Sequence, residues 1–318
     1  MVTRYFQSLI TLALGEDTAG NQVVGNLASM PHLLVAGASG AEKSVYINSL
    51  IFSLLFKATP DEVKLLLIDS KRVEMRMYQD VPHLVHPVIT DMAMAKNALD
   101  WAVKEMHQRY ESLAFAGVWN ITEYNAKPKR LGVIKHDGLN GQFFMPYLVI
   151  IIHELAEVME GNAKEVESSI VRLAQLARAV GIHLILATHW LRANVVTGLI
   201  KVNFPYRIAF RVTSTQESHA ILDIAGAEDL LGKGDMLLKS GGGHFQRMHG
   251  AFVSDGTVTA VVDYWKRLVA PSCKVHFADW STAVGADDDI SSDKSSISFL
   301  QRRFRIGYNK TLSILKQG

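Results

Sequence analysis

Short apolar runs alternate along this chain with longer stretches whose apolar residues recur at helical spacing. The runs predict strands at His32–Ala36, Val63–Asp69, Tyr147–Ile152, His183–Thr188 and Tyr206–Val212. The amphipathic stretches predict helices at Ser44–Lys57, Asp91–Ala116, Glu165–Val180 and Thr215–Ala225. The unbroken run Leu148-Val-Ile-Ile-Ile152 reads as a central parallel strand covered on both faces. Met236–Lys239 and Met248–Val253 flank Ser240-Gly-Gly-Gly243 and predict an edge hairpin. The alternation is that of a doubly wound α/β domain.

Composition narrows the class. With 318 residues, 48% hydrophobic and 20% charged, the chain can bury one large core plus an appendage. A net charge of +2 gives no indication of a nucleic-acid partner by itself. One cysteine, Cys273, excludes an internal disulfide and fits a reducing, cytoplasmic compartment. The chain has no apolar run of about 18 residues, so no membrane span is expected. Its first residues lack a signal-peptide pattern. Lys127–Phe144, with Lys127, Lys129, Arg130 and Lys135 among glycines and Pro128, reads as a long basic surface loop. Residues 269–293, with Pro271, Gly285 and Asp287-Asp288-Asp289, read as an acidic flexible linker. Residues 294–318 carry no acid, and their apolar spacing allows two short helices turning near Gly307, a helix-turn-helix pattern.

The candidate chemistry starts at Gly37-Ala-Ser-Gly-Ala-Glu-Lys-Ser44, between a predicted strand and a predicted helix. In a phosphate-binding loop, backbone N–H groups and the helix N-terminus hold phosphate oxygens while a lysine neutralises them. Gly37, Lys43 and Ser44 fit that pattern, but Glu42 stands where glycine is expected. A carboxylate about 5 Å from a phosphate charge is repelled by roughly 3 kcal/mol at an effective dielectric near 20. That is on the order of a hundredfold in affinity. His153-Glu154-Leu-Ala-Glu157 fails the H-E-x-x-H metalloprotease pattern, because position 157 is glutamate and the segment ends a strand. Asp69, at the end of a predicted strand, suits either a ligand-side carboxylate or a loop cap. His83 and His86, between Pro82 and Pro87, read as structural, and Trp101, Tyr110, Trp119 and Tyr124 as helix packing.

Longer segments carry a resemblance. Leu14-Gly-Glu-Asp17, Met30-Pro-His-Leu-Leu-Val-Ala-Gly37, Pro82-His-Leu84, Arg172–Thr188, Thr197–Phe210, Ile221–Met236 and Gln301–Asn309 together resemble the FtsK/SpoIIIE family of DNA translocases over nearly the whole chain. The resemblance implies a RecA-like P-loop NTPase core that forms a hexameric ring, homo- or heteromeric, around double-stranded DNA and uses ATP and Mg²⁺. It divides the chain into a lead-in segment (1–30), the motor domain (31–268), the linker (269–293) and a partial winged helix (294–318). Nucleotide would be held by Gly37, Ala38, Ser39, Gly40, Ala41, Lys43 and Ser44. Ser44 would meet Mg²⁺, and Lys43 and Glu154 would be the catalytic residues. Arg302, Arg303, Arg305 and Lys310 would hold DNA phosphates, and Asn309 would reach a base edge. Four positions depart from the family pattern: Glu42 replaces glycine, His153 the aspartate that orients Mg²⁺, His189 a glutamine that senses nucleotide state, and His219 an arginine with a trans-acting role. Two readings follow: a translocase with impaired ATP hydrolysis, or a non-catalytic pseudo-ATPase that binds DNA or completes a ring.

Overall fold

A computed structural model describes residues 8–38, 40, 42–127, 144–189, 194–270, 275 and 277. All but Phe277 belong to one unit spanning residues 1–276. Ser39, Ala41, most of the basic loop, most of the acidic linker and the whole predicted helix-turn-helix lie outside the described residues.

Nine strands form one mixed sheet in the order β2-β1-β9-β8-β7-β3-β6-β5-β4. Its parallel half consists of β3 (His32–Ala36), β4 (Val63–Ile68), β5 (Tyr147–Ile152), β6 (Ile182–Thr188) and β7 (Tyr206–Phe210). Every residue of β3, β4 and β6 is buried, as unbroken Leu/Ile/Val runs require when helices cover both faces. The antiparallel half consists of β1 (Thr11–Asp17), β2 (Gln22–Asn26), β8 (Asp235–Lys239) and β9 (Phe245–Gly250).

Helices fill the crossovers: α1 (Lys43–Lys57), α2 (Met92–Ala116), α3 (Ile121–Ala126), α4 (Leu155–Val158), α5 (Ala163–Leu176), α6 (Gly198–Asn203), α7 (Thr215–Leu222) and α8 (Asp255–Leu268). α1 carries the chain from β3 outward to edge strand β4, whereas α5 carries it inward from β5 to β6. Right-handed crossovers in opposite directions put these two helices on opposite faces. α1 buries Tyr46, Ile47, Leu50, Ile51, Leu54 and Leu55, a single stripe at helical spacing. α2 starts where the Asp91 carboxylate accepts the Met94 N–H and stops at Gly117, whose φ of 61° only glycine adopts cheaply.

The structure shifts several predicted boundaries. Val63–Asp69 ends at Ile68, because the Asp69 carboxylate turns back to accept the N–H groups of Lys71 (3.2 Å) and Met75 (3.0 Å). Tyr206–Val212 ends at Phe210. Glu165–Val180 becomes α5 and a separate 3₁₀ turn closed by Gly181. Thr215–Ala225 stops at Leu222, where Asp223 enters the left-handed region and meets Lys201, Arg207 and Lys239. Predicted Met248–Val253 slides to Phe245–Gly250, since the Ser240 N–H closes a tight turn onto the His244 carbonyl (2.9 Å).

Pattern reading gave no strand at β1 or β2. Gly15 is the reason β1 can dock there: a β-carbon on it would lie 2.0 Å from the His249 carbonyl oxygen. The aromatic prediction fails at Trp119, which is 86% exposed, while Trp101 and Tyr124 are buried and the Tyr110 hydroxyl donates to the Leu176 carbonyl (2.6 Å).

Candidate nucleotide site

The loop between β3 and α1 lies where the sheet reverses direction. From β3 the chain crosses to the edge strand, returns through β5 and β6, then continues on β3's other flank as β7. Ligands of open α/β sheets bind at such a reversal, beyond the carboxyl ends of the strands. Gly37 begins the loop against β7, where an added β-carbon would stand 2.7 Å from the Phe210 Cβ. The Ala38 N–H is held by the Arg211 carbonyl (2.9 Å).

Glu42 caps α1 with φ 64° and ψ 20°, a left-handed conformation, and its side chain is exposed and makes no capping bond. Helix capping by acids normally uses an extended backbone and a side-chain bond to an N–H. Here the glycine torsions persist and the residue that tolerates them does not, at a cost of roughly 1–2 kcal/mol.

Lys43 folds back over the loop and donates from Nζ to the carbonyls of Gly37 and Ala38, the latter at 2.9 Å. Desolvation lowers its pKa to about 8, opposed by the Glu154 charge and assisted by Lys71. A partly desolvated ammonium bonded to backbone carbonyls is satisfied without an anion.

Ser44 and His153 meet across the site. His153 lies just past β5, and its Nε2 stands 3.0 Å from the Ser44 Oγ. Its Nδ1 has no hydrogen-bond partner and faces the Asp69 carboxylate at 3.9 Å. That carboxylate favours the proton on Nδ1, leaving Nε2 to accept from the Ser44 hydroxyl. Burial lowers the His153 pKa, against the opposing charges of Asp69, Glu74 and Glu154.

Glu154 is buried and fully clasped. The Thr188 hydroxyl donates to Oε1 (2.7 Å), and the His189 Nδ1 and the His189 N–H engage Oε2, the latter at 3.4 Å. The structure therefore brings together Lys43, Ser44, His153, Glu154 and His189. It leaves His219 exposed on α7, outside the bonds of this cluster among the described residues. Thr188, Lys71 and Glu74 were not singled out by sequence. Thr188 carried one signal, as the hydroxyl ending an otherwise apolar strand.

Beside the loop lies a cavity of about 190 Å³ walled by Glu42, Tyr46, Phe210, Lys233, His249 and Phe252. It is smaller than the roughly 300–1,000 Å³ of small-molecule sites. The Tyr46 ring, edge-on to Phe210 at 5.2 Å, fills one side, and its buried hydroxyl has no partner.

A phosphate-binding loop at the switch point of a parallel sheet defines a P-loop NTPase of the RecA-like kind. The FtsK/SpoIIIE family pattern matches residues 2–201. The chain is 46% identical to the DNA translocase SftA of Bacillus subtilis, over 98% of this chain and 33% of the relative. It is 44% identical to the DNA translocase FtsK of Caldanaerobacter subterraneus, over 99% of this chain and 45% of the relative. The chain belongs to the FtsK/SpoIIIE family, and it spans about a third to under half the length of these relatives. Among solved structures, the pCW3 conjugation coupling protein TcpA, in monomer form with ATPγS, superposes with a TM-score of 0.68 and 26% identity. That match covers 83% of this chain and 73% of TcpA. The type VII secretion ATPase EccC of Thermomonospora curvata shares the fold, with a TM-score of 0.69 and 22% identity, over 86% of this chain and 32% of EccC. Family and fold point to a nucleotide as the ligand of the loop. Among the described residues no helix is long and apolar enough to cross a membrane.

The family implies Mg²⁺ beside the nucleotide, and the residues present do not fit it. Mg²⁺ takes hard oxygen ligands in an octahedral shell. Ser44 offers one oxygen, but its neighbour is an imidazole nitrogen. The carboxylates of Asp69 and Glu154 are already engaged, and Glu74 contributes negative charge without a bond to the cluster. Among the described residues no group of three or more His, Cys, Asp or Glu side chains could hold a metal.

Proposed function

We propose that this chain is the motor part of an FtsK/SpoIIIE-type double-stranded DNA translocase with impaired ATP hydrolysis. The observation that carries the impairment is the Ser44–His153 hydrogen bond at 3.0 Å, in the place where the resemblance implies an aspartate. A neutral imidazole there supplies no anionic oxygen to orient a metal's water shell. Glu42 adds a repelling charge and a strained backbone at the other side of the phosphate seat. In this reading the chain works in the cytoplasm, in a hexameric ring whose DNA contacts include Arg302, Arg303, Arg305, Asn309 and Lys310 of a winged-helix segment.

A second reading is a pseudo-ATPase that binds DNA or completes a ring without turnover. It is favoured by Lys43 folded onto its own loop and by Glu154 clasped between Thr188 and His189. DNA-stimulated phosphate release separates the two. Under the first reading the wild type turns over slowly, and the double revertant Glu42→Gly, His153→Asp binds ATP with Mg²⁺ about tenfold tighter or better. Its turnover rises and is abolished by Lys43→Ala. Under the second reading the wild type gives none, with DNA binding or ring assembly intact. Vigorous DNA-dependent turnover by the wild type overturns both.

A further inference from the structure

Three oxygen-bearing side chains of the cluster are each committed to a neighbour, and Glu74 reaches His153 by its charge alone. Ser44 is tied to His153, Asp69 to the backbone of Lys71 and Met75, and Glu154 to Thr188 and His189. What the site retains for a polyphosphate is different. It has the N-terminus of a 15-residue helix, the backbone of Gly37 and Gly40, and the Lys43 ammonium, which a phosphate would draw off the Gly37 and Ala38 carbonyls. These groups recognise phosphate oxygens directly, without a bridging cation. A cation between Ser44 and a phosphate would instead face the imidazole of His153, a poor partner for Mg²⁺.

We propose that this site does not discriminate in favour of the Mg²⁺ complex of its nucleotide: metal-free ADP or ATP binds as tightly as the magnesium form. The proposal rests on the nucleotide-binding part of the reading above and goes further, because it concerns which ionic form of the ligand is taken. His153 is here a specificity-determining residue. It satisfies the Ser44 hydroxyl as an aspartate would, while removing the charge that makes such sites metal-dependent.

The test is calorimetric titration of the full chain with ADP and with ATPγS, once in excess Mg²⁺ and once in excess EDTA. A thermal shift under the same conditions reads binding independently. The wild-type dissociation constants should agree within about twofold between the two conditions. His153→Asp should bind the magnesium form at least about tenfold more tightly than the metal-free form. His153→Asn, neutral and of similar reach, should remain indifferent, which guards against a trivial effect of substitution. A tenfold preference for Mg²⁺ in the wild type overturns the proposal, as does an unchanged ratio in a folded His153→Asp variant. Absence of binding in both conditions overturns it too. A magnesium preference in the wild type leaves the impaired-hydrolysis reading to its own assay of DNA-stimulated phosphate release, whereas absence of binding in both conditions removes turnover as well.

Discussion

Two pairs of histidines stand at opposite ends of the parallel half of the sheet. His32 opens β3 and His183 lies at the start of β6, with ring centroids 6.3 Å apart. His153 and His189 lie just past the carboxyl ends of β5 and β6. The first pair packs against the Phe204 and Tyr147 rings and bonds to backbone: His32 Nδ1 accepts the Leu184 N–H (3.1 Å), and His183 Nδ1 donates to the Pro31 carbonyl (3.0 Å). Burial, aided by each other's or neighbouring arginine charge, holds their pKa values near 3 and 4. The second pair looks at a hydroxyl and at carboxylates. Residue type therefore says little about role. A histidine enclosed by peptide groups is locked neutral and packs, whereas one facing Ser44 or Glu154 decides what the site can hold.

The largest effect is expected at the strand-start end, where the fully buried Arg109 bonds Glu105 (2.8 Å) and the carbonyls of Pro146 (2.8 Å) and Val180 (2.9 Å). Arg109→Ala leaves Glu105 buried without its cation and should cost about 3–5 kcal/mol in urea denaturation. Glu105→Gln with Arg109→Met should cost clearly less. Equal losses would mean that the pair matters only for its volume.

Acid sharpens the contrast next. His32 and His183, like His83 at about 4, have folded pKa values depressed below the ordinary 6.5. The unfolded chain thus binds more protons at these sites between pH 6.5 and about 4. Their contribution is fully present above pH 6.5 and is lost as pH falls toward 4, or toward 3 for His32, on the order of 3–5 kcal/mol per site when complete. Stability measured from pH 7 to pH 4 should fall steeply in the wild type and less steeply in His183→Phe. Parallel curves would remove His183 from the account.

The smallest effect concerns the loop end. Glu42→Gly relieves a left-handed non-glycine residue and should raise stability by up to about 1 kcal/mol. A lowered melting temperature would show that the carboxylate makes a compensating contact.

Much of the parallel half was legible, because buried parallel strands are written as unbroken apolar runs and Leu148–Ile152 has one meaning. The loop was legible from Gly37, Lys43 and Ser44, with Glu42 as a mismatch to that pattern, and the departure at His153 came from the family resemblance. In the antiparallel half β8 and, with a shift, β9 were legible, but β1 and β2 were not, and their pairing beside β9 puts the predicted edge hairpin inside the sheet. Gly15 breaks the alternation that marks a half-buried strand, and its reason is the His249 backbone, far away in sequence. Side-chain partnerships were hidden for the same cause. Nothing local in Glu154 announces that Thr188 and His189 occupy both its oxygens, since the partners arrive from the adjacent strand.

Gly15 pairs directly with Gly250, and residues 249–252 go on to wall the cavity beside the phosphate loop. Residues 11–26 are thereby tied to that wall through β9, and β1 is tied to α1 as well, where the Ala13 N–H meets the Ser53 hydroxyl (3.1 Å). Tension applied to the amino-terminal hairpin would therefore reach the phosphate loop by two routes, through β9 and the cavity wall and through α1.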